Sequence, residues 1–182
     1  MALVYAFMAD GLEEVECLAT ADILVRAGIT VKLVSVTGKR EVRGSHGFGI
    51  RADYLLKNVD FDKPDMLFLP GGQPGTPHLM ECAELGEALV EANRKGKRIA
   101  AICAAPMVLG KLGILKDKRA TCYPGCEDQL NGAKYTGASV VTDQNITTSR
   151  GLGFVFDFGL ELVRLLADPM AAANVSDKIL YK

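Results

Sequence analysis

The 182-residue chain predicts a doubly wound α/β sandwich: a mostly parallel sheet with helices on both faces, as a single domain over residues 1–182. Three observations carry this. Short apolar, β-rich runs at 3–8, 30–36, 65–69 and 98–102 alternate with segments of helical spacing. Several of these runs lack polar alternation, as strands buried on both faces do. With 49% hydrophobic and 24% charged residues, the chain is long and apolar enough to bury one sizeable core.

The elements follow in order. Leu3–Met8 is the first strand, broken by Asp10-Gly11. Residues 13–27 form a helix, with Val15, Leu18, Ala19, Ile23 and Leu24 as its buried face and Gly28 as its stop. Glu13, Glu14 and Glu16 crowd its first turn, where carboxylates suit the helix dipole, and Glu16 lies at the edge of the buried face. Thr30–Val36 completes a right-handed β-α-β unit. The glycine-punctuated stretch 38–57 predicts a small hairpin or edge excursion. Asp65–Leu69 is a buried strand ending in Pro70-Gly71-Gly72, and residues 83–95 are a helix leading into the strand 98–102. Lys118–Tyr123 is a further strand and Pro124–Leu130 a helical turn. Ser139–Thr142 and Ile146–Ser149 are strands joined by Asp143-Gln144-Asn145. Gly151–Ala167 is a long helix, and Pro169 begins a final short one.

The composition excludes several classes. Net charge is −1 with no basic stripe, which leaves nucleic acid and anionic membrane without an electrostatic footprint. The run Leu3–Ala9 is too short to span a bilayer, lacks a basic leader and runs into acidic residues, so neither a membrane segment nor a signal peptide is expected. Five cysteines, odd in number and without CxxC, predict no disulfide framework and no metal site, and fit a reducing cytoplasm. No G-x-G-x-x-G or Walker A loop follows a strand, so no nucleotide cofactor is implied.

One stretch stands out: a strand at 98–102 runs into Cys103-Ala104-Ala105-Pro106. Two alanines allow a tight turn and Pro106 suits a first helical position, so Cys103 is expected at the carboxyl edge of the sheet, beside a helix N-terminus. A free cysteine is by type a small buried hydrophobe. At such an elbow it also reads as an exposed nucleophile whose pKa the helix end lowers. Glu16 reads either as a solvated helix acid or, because the loops after the first and fourth strands open on one edge, as a proton donor or base for that thiol. Gly71-Gly72 reads as a turn or as a source of amides for an oxyanion. His46 and His78 lie in Gly- or Pro-rich loops and read as surface residues.

At these residues the chain resembles the ThiJ/PfpI family, in the branch of the Parkinson's-disease-associated protein deglycase and its bacterial relatives. The resemblance rests on Ala9-Asp10-Gly11-Leu12-Glu13-Glu14-Val15-Glu16, Leu69-Pro70-Gly71-Gly72, Ala100 to Pro106 and Thr148-Ser149-Arg150-Gly151. It implies a flavodoxin-like fold of the class I glutamine amidotransferase kind and a homodimer without cofactor. It makes Cys103 an oxidation-sensitive nucleophile, Glu16 its protonated partner, and Gly72 and Ala104 oxyanion donors. It implies action on small reactive dicarbonyls, as a glyoxalase or as a deglycase of glyoxal adducts, with a redox-sensing or chaperone-like role as the alternative. Two departures matter. Tyr123 stands before Pro124 where many relatives carry histidine, and a phenol is a poor base at neutral pH. Ala104, not histidine, follows the cysteine, which argues against a Cys-His-Glu hydrolase. His46 falls about where some relatives place an arginine, and Tyr123 and His46 are therefore candidate site-lining residues.

Overall fold

The computed structural model describes residues 1–181. Its strands are β1 (Leu3–Met8), β2 (Thr30–Ser35), β3 (Glu41–Arg43), β4 (Gly49–Arg51), β5 (Tyr54–Leu55), β6 (Met66–Leu69), β7 (Arg98–Ile102), β8 (Arg119–Ala120), β9 (Lys134–Tyr135), β10 (Val140–Asp143) and β11 (Ile146–Ser149). Its α-helices are α1 (Glu14–Arg26), α2 (Gly75–Glu81), α3 (Ala83–Arg94), α4 (Pro106–Lys111), α5 (Val155–Leu166) and α6 (Pro169–Lys178).

Seven strands form one sheet in the order β10-β11-β7-β6-β1-β2-β5. All neighbours are parallel except β10 and β11. Alternation along the inner strands feeds two cores. Val4, Ala6, Phe68, Ala100 and Ile102 face Ile23, Leu24, Phe158 and Leu162 of the layer α1, α5 and α6. Tyr5, Phe7, Leu67, Leu69, Ile99 and Ala101 face Leu79, Leu85, Leu89 and Leu109 of the layer α2, α3 and α4. This mostly parallel sheet between helix layers is the architecture the sequence predicts. From β1 the chain moves outward to β2, then returns to β6 and on to β7, so the strand order reverses between β1 and β6. Ligand crevices open at the carboxyl ends on such a reversal. Ile102 pairs with Ser149, so Cys103 and Arg150-Gly151 leave the sheet side by side.

Several expectations need correction. On α1 the buried residues are Glu14, Glu16, Cys17, Thr20, Ile23 and Leu24, while Val15 and Leu18 are exposed. The helix is turned so that two of its acids, not its outer valine and leucine, face the protein. The predicted strand 118–123 shrinks to β8, which pairs with β9 outside the main sheet. Its remaining backbone groups find other partners: Thr121 N donates to Thr148 Oγ1 at 2.9 Å, and Tyr123 N to Cys103 O at 2.8 Å. The last long helix begins at Val155 rather than Gly151, because Gly151 has φ +151° and residues 152–154 form a 3-10 turn. Helix α2 is absent from the sequence reading. Pro74, Gly75 and Pro77 disguise it as a loop, although Pro77 sits in its first turn, where no amide is missed. Among the described residues no helix is long and apolar enough to cross a membrane.

Candidate active site

Cys103 adopts φ +64°, a left-handed conformation rare for a side chain larger than glycine. The backbone is held there from both sides: Cys103 N donates to Ser149 O at 2.9 Å, and its carbonyl accepts from Tyr123 N at 2.8 Å. The turn throws the half-buried thiol out at the carboxyl edge of β7, and α4 follows with Pro106 in its first turn. The amides of Gly72 and Ala104 both donate to the sulfur.

Glu16 reaches the same point from α1. Glu13 is the N-cap of that helix, and its carboxylate accepts from Glu16 N at 2.6 Å. A glutamate at this third position ordinarily reaches back to the cap amide. Here Glu13 N instead donates to Gly71 O at 2.9 Å, which frees the Glu16 side chain to turn inward. It is 1% exposed. Oε2 accepts from Gly71 N at 3.0 Å, the carboxyl accepts a further bond from Leu152 N, and the Cys103 thiol lies within hydrogen-bond reach. The approach needs glycine at 71, since a Cβ there would lie 2.6 Å from Cys103 Cβ and 2.7 Å from Glu16 Oε2. Gly72 has φ +102°, and a Cβ on it would meet Glu13 N at 2.2 Å.

Burial pushes the Glu16 carboxyl up to about 7; nearby Glu13 adds to the shift, and bonds with Cys103, Gly71 and Leu152 oppose it. Burial also pushes the Cys103 thiol up, reinforced by Glu16 and opposed by the amides of Ala104 and Gly72. The helix-end lowering expected from the sequence is opposed at this thiol by burial and by the neighbouring Glu16 carboxyl. Helix α4 has only six residues and begins with a proline that offers no N–H. The two groups titrate together. Adjacent buried anions repel, so when the sulfur is ionised the shared proton sits on Glu16.

The other candidates are placed as follows. The Tyr123 ring and Cys103 Sγ lie 3.4 and 3.7 Å from the point where a Gly151 Cβ would stand, so the phenol borders the thiol. His46, in the loop between β3 and β4, is not brought onto the thiol. Its contacts are to α1 and Ser45: Nδ1 lies 2.9 Å from Glu14 Oε2 and 3.9 Å from Glu13 Oε1, and its amide donates to Glu14 Oε1 at 2.8 Å. Burial would raise the Glu14 carboxyl, but hydrogen bonds from His46 outweigh it and hold Glu14 below its ordinary value; Glu14 raises the His46 imidazole in turn. Glu13, Glu14 and His46 are, among the described residues, the group of three ligand-type side chains whose atoms approach within 4.8 Å. The His78 ring is tied to Asp10 O at 2.7 Å. A cavity of about 630 Å³ opens instead at the amino ends of the strands, among Met1, Asp65, Lys97 and Arg98. Its lining contains no cysteine or histidine, so the candidate site is assigned on the hydrogen bonds around Cys103 and not on cavity size. Sequence reasoning missed the Leu152 amide and the use of Gly71 N by Glu16, although both adjoin motifs already singled out.

A match to the DJ-1/PfpI family spans residues 2–165. The chain belongs to this family. Protein dj-1beta of Drosophila melanogaster is 38% identical over 175 residues, covering 95% of this chain and 94% of that protein. The glutathione-independent glyoxalase DJR-1.2 of Caenorhabditis elegans is 38% identical over 162 residues, covering 88% and 86%. The solved structure of Toxoplasma gondii DJ-1, in an oxidized form, superposes with a TM-score of 0.96 at 33% identity and covers 100% of this chain and 99% of that one. Within the DJ-1/PfpI fold, this chain's candidate site is built from the loops after β1, β6, β7 and β11.

The Glu16 assignment has a pH signature. A carboxyl raised from 4.5 to about 7 in the folded state contributes stability that is fully present below 4.5 and lost as pH rises through about 7. Glu16→Gln, neutral throughout, removes that component. Urea denaturation is expected to show the variant gaining stability relative to wild type as pH rises across this window. A difference that stays flat with pH contradicts the assignment.

Proposed function

We propose that the protein is a cofactor-independent, glyoxalase-like enzyme that converts small α-oxoaldehydes to 2-hydroxy acids. The observation that carries this reading is the buried Glu16 carboxyl facing the Cys103 thiol, with the amides of Gly72 and Ala104 aimed at the same sulfur. Kinship with a glutathione-independent glyoxalase supports it. The sulfur adds to the aldehyde carbon, a C–S bond forms, and the carbonyl electron pair moves to oxygen beside the two amides. That oxygen takes the proton held by Glu16, leaving a hemithioacetal and a carboxylate. Glu16 then removes the hydrogen on the aldehyde carbon to give an enediol and returns a proton to the neighbouring carbon. The hydroxyl proton shifts to the adjacent oxygen, which leaves the thioester of a 2-hydroxy acid. Water cleaves the thioester, releasing acid and thiol. One carbon is oxidised as its neighbour is reduced, so no external oxidant is needed. Glu16, with its pKa near neutrality, suits both directions of transfer. Action on glyoxal adducts of proteins would use the same addition step.

A second reading is favoured by the oxidized form of the Toxoplasma relative. Two equivalents of peroxide convert the thiol to a sulfinate and release two waters; the amides and protonated Glu16 would hold the anion. No turnover is then required. Five free cysteines suit the reducing cytoplasm in which we place the protein. We also assign a homodimer. Val15, Leu18 and Val25 form an outward stripe on α1, 46%, 42% and 57% exposed, that a second copy would cover.

Purified protein is expected to form lactate from methylglyoxal without glutathione. Cys103→Ser should fall to the uncatalysed rate, and Glu16→Gln should lose about 10²- to 10⁴-fold in kcat; full activity in Cys103→Ser overturns the mechanism. For the redox reading, mass spectrometry after mild peroxide should show Cys103 gaining two oxygens before the other four cysteines. A different first site removes that reading. Sedimentation should give twice the 19.5 kDa chain mass, and Leu18→Glu with Val25→Glu should return it to one; a wild-type monomer refutes the dimer.

A further inference from the structure

The directions around Cys103 Sγ are unequally occupied. The Gly71 backbone closes one side so tightly that no Cβ fits. Glu16 fills a second, held by the amides of Gly71 and Leu152. The amides of Gly72 and Ala104 take the third, where the substrate oxygen must sit. A further side is bordered by Gly151 and the Tyr123 ring. A point one bond from the Gly151 Cα lies 3.7 Å from the sulfur and 3.4 Å from the Tyr123 ring, so an atom placed there contacts both without a clash. Once the aldehyde carbon is bonded to sulfur and its oxygen lies on the amides, the remainder of the substrate is directed along this space. Tyr123 is 53% exposed and Leu152, following Gly151, is 47% exposed. Of these, the Tyr123 ring borders the point beside the thiol.

We propose that Tyr123 is a specificity-determining residue whose ring receives the substituent of the substrate, so that the site favours α-oxoaldehydes bearing a planar apolar group, arylglyoxals above all, over glyoxal itself. The inference rests on the reading of Cys103 as a carbonyl nucleophile. Stacking on the ring adds to the apolar area buried, and an arylglyoxal gains about three- to tenfold from it. Glyoxal presents only hydrogen at the corresponding position and gains nothing. The phenol hydroxyl is not needed for this, so the ring and not its acidity sets the preference. Tyr123 would thus be a binding residue that turns over no proton.

The test compares phenylglyoxal with glyoxal. For each protein the ratio of kcat/KM for the two substrates is measured, which cancels any general loss of activity. Tyr123→Ala is expected to lower the phenylglyoxal-to-glyoxal ratio by about three- to tenfold, mainly through the KM of phenylglyoxal, and Tyr123→Phe to keep the wild-type ratio. An unchanged ratio in Tyr123→Ala overturns the proposal, and so does an equal loss in Tyr123→Phe, which would assign the effect to the hydroxyl. A binding measurement separates this from failure of the enzymatic reading. Protection of Cys103 from iodoacetamide by each aldehyde reports addition to sulfur whether or not product forms, and the wild-type-to-variant comparison cancels intrinsic electrophilicity. Protection by phenylglyoxal that weakens selectively in Tyr123→Ala supports the proposal even if no acid is released. Protection by both aldehydes that is indifferent to residue 123 refutes it, and absence of any protection removes the carbonyl chemistry on which it stands.

Discussion

A carboxyl and a thiol share one proton in a space too small for two anions, and the surrounding architecture serves that contact. Glu16 reaches Cys103 only because Gly71 presents bare backbone between them and because Glu13, not Glu16, caps α1. The elbow that presents Cys103 is a strained left-handed residue, of the kind that persists when neighbours over-determine it. Here those neighbours are a strand partner on one side and the Tyr123 amide on the other. Loss of the contact between Glu16 and Cys103 would leave each group to titrate on its own. The pair would then become an ordinary buried acid and an ordinary buried thiol.

The first turn of α1 shows how environment assigns different roles to one residue type. Glu13, Glu14 and Glu16 are near neighbours in sequence, and the helix dipole acts on all three in the same sense. Glu13 spends one oxygen on the cap. Glu14 is buried against the His46 imidazole, whose hydrogen bonds outweigh burial and hold its carboxyl below the ordinary value. Glu16 meets only amides and a thiol, so burial dominates and its proton is retained toward neutrality. Amides stabilise a carboxylate by hydrogen bonding but carry no compensating charge. The difference between an imidazole partner and a thiol partner therefore separates a carboxyl held below its ordinary value from one raised to about 7.

This division also explains what could be read from the sequence. The inner strands were legible to within a residue or two, because strands buried on both faces have little choice of composition. The elbow was legible as well, since Cys-Ala-Ala-Pro is a turn with a nucleophile-sized side chain. The orientation of α1 was not. Hydrophobic periodicity points Val15 and Leu18 inward, and the structure points them outward, because the buried positions of the first turns are given to Glu14, Glu16, Cys17 and Thr20. Periodicity assumes that the core takes the apolar residues. It fails where a polar residue is buried to be used, and that failure marks the functional face. The stretch 118–123 misleads for a related reason. Its β-favouring residues suggest a ladder, but two of its amides are taken by Thr148 and Cys103, which ties it to the elbow as a brace.

The delayed start of α5 belongs to the same logic. A helix beginning at Gly151 would direct the amides of 151 and 152 along its own axis, as unpaired first-turn donors. Gly151 instead adopts an extended, positive-φ conformation, and the 3-10 turn that follows leaves the Leu152 amide free to meet Glu16. Such donors stabilise the charged form of a carboxyl without fixing it there. Two backbone amides do this at no cost in side-chain entropy, and neither titrates. A lysine or arginine in their place would hold Glu16 ionised at neutral pH, and the proton shared with Cys103 would then have only the sulfur to occupy. The backbone amides of Gly71 and Leu152, not a charged side chain, thus leave the pair poised between its two protonation states.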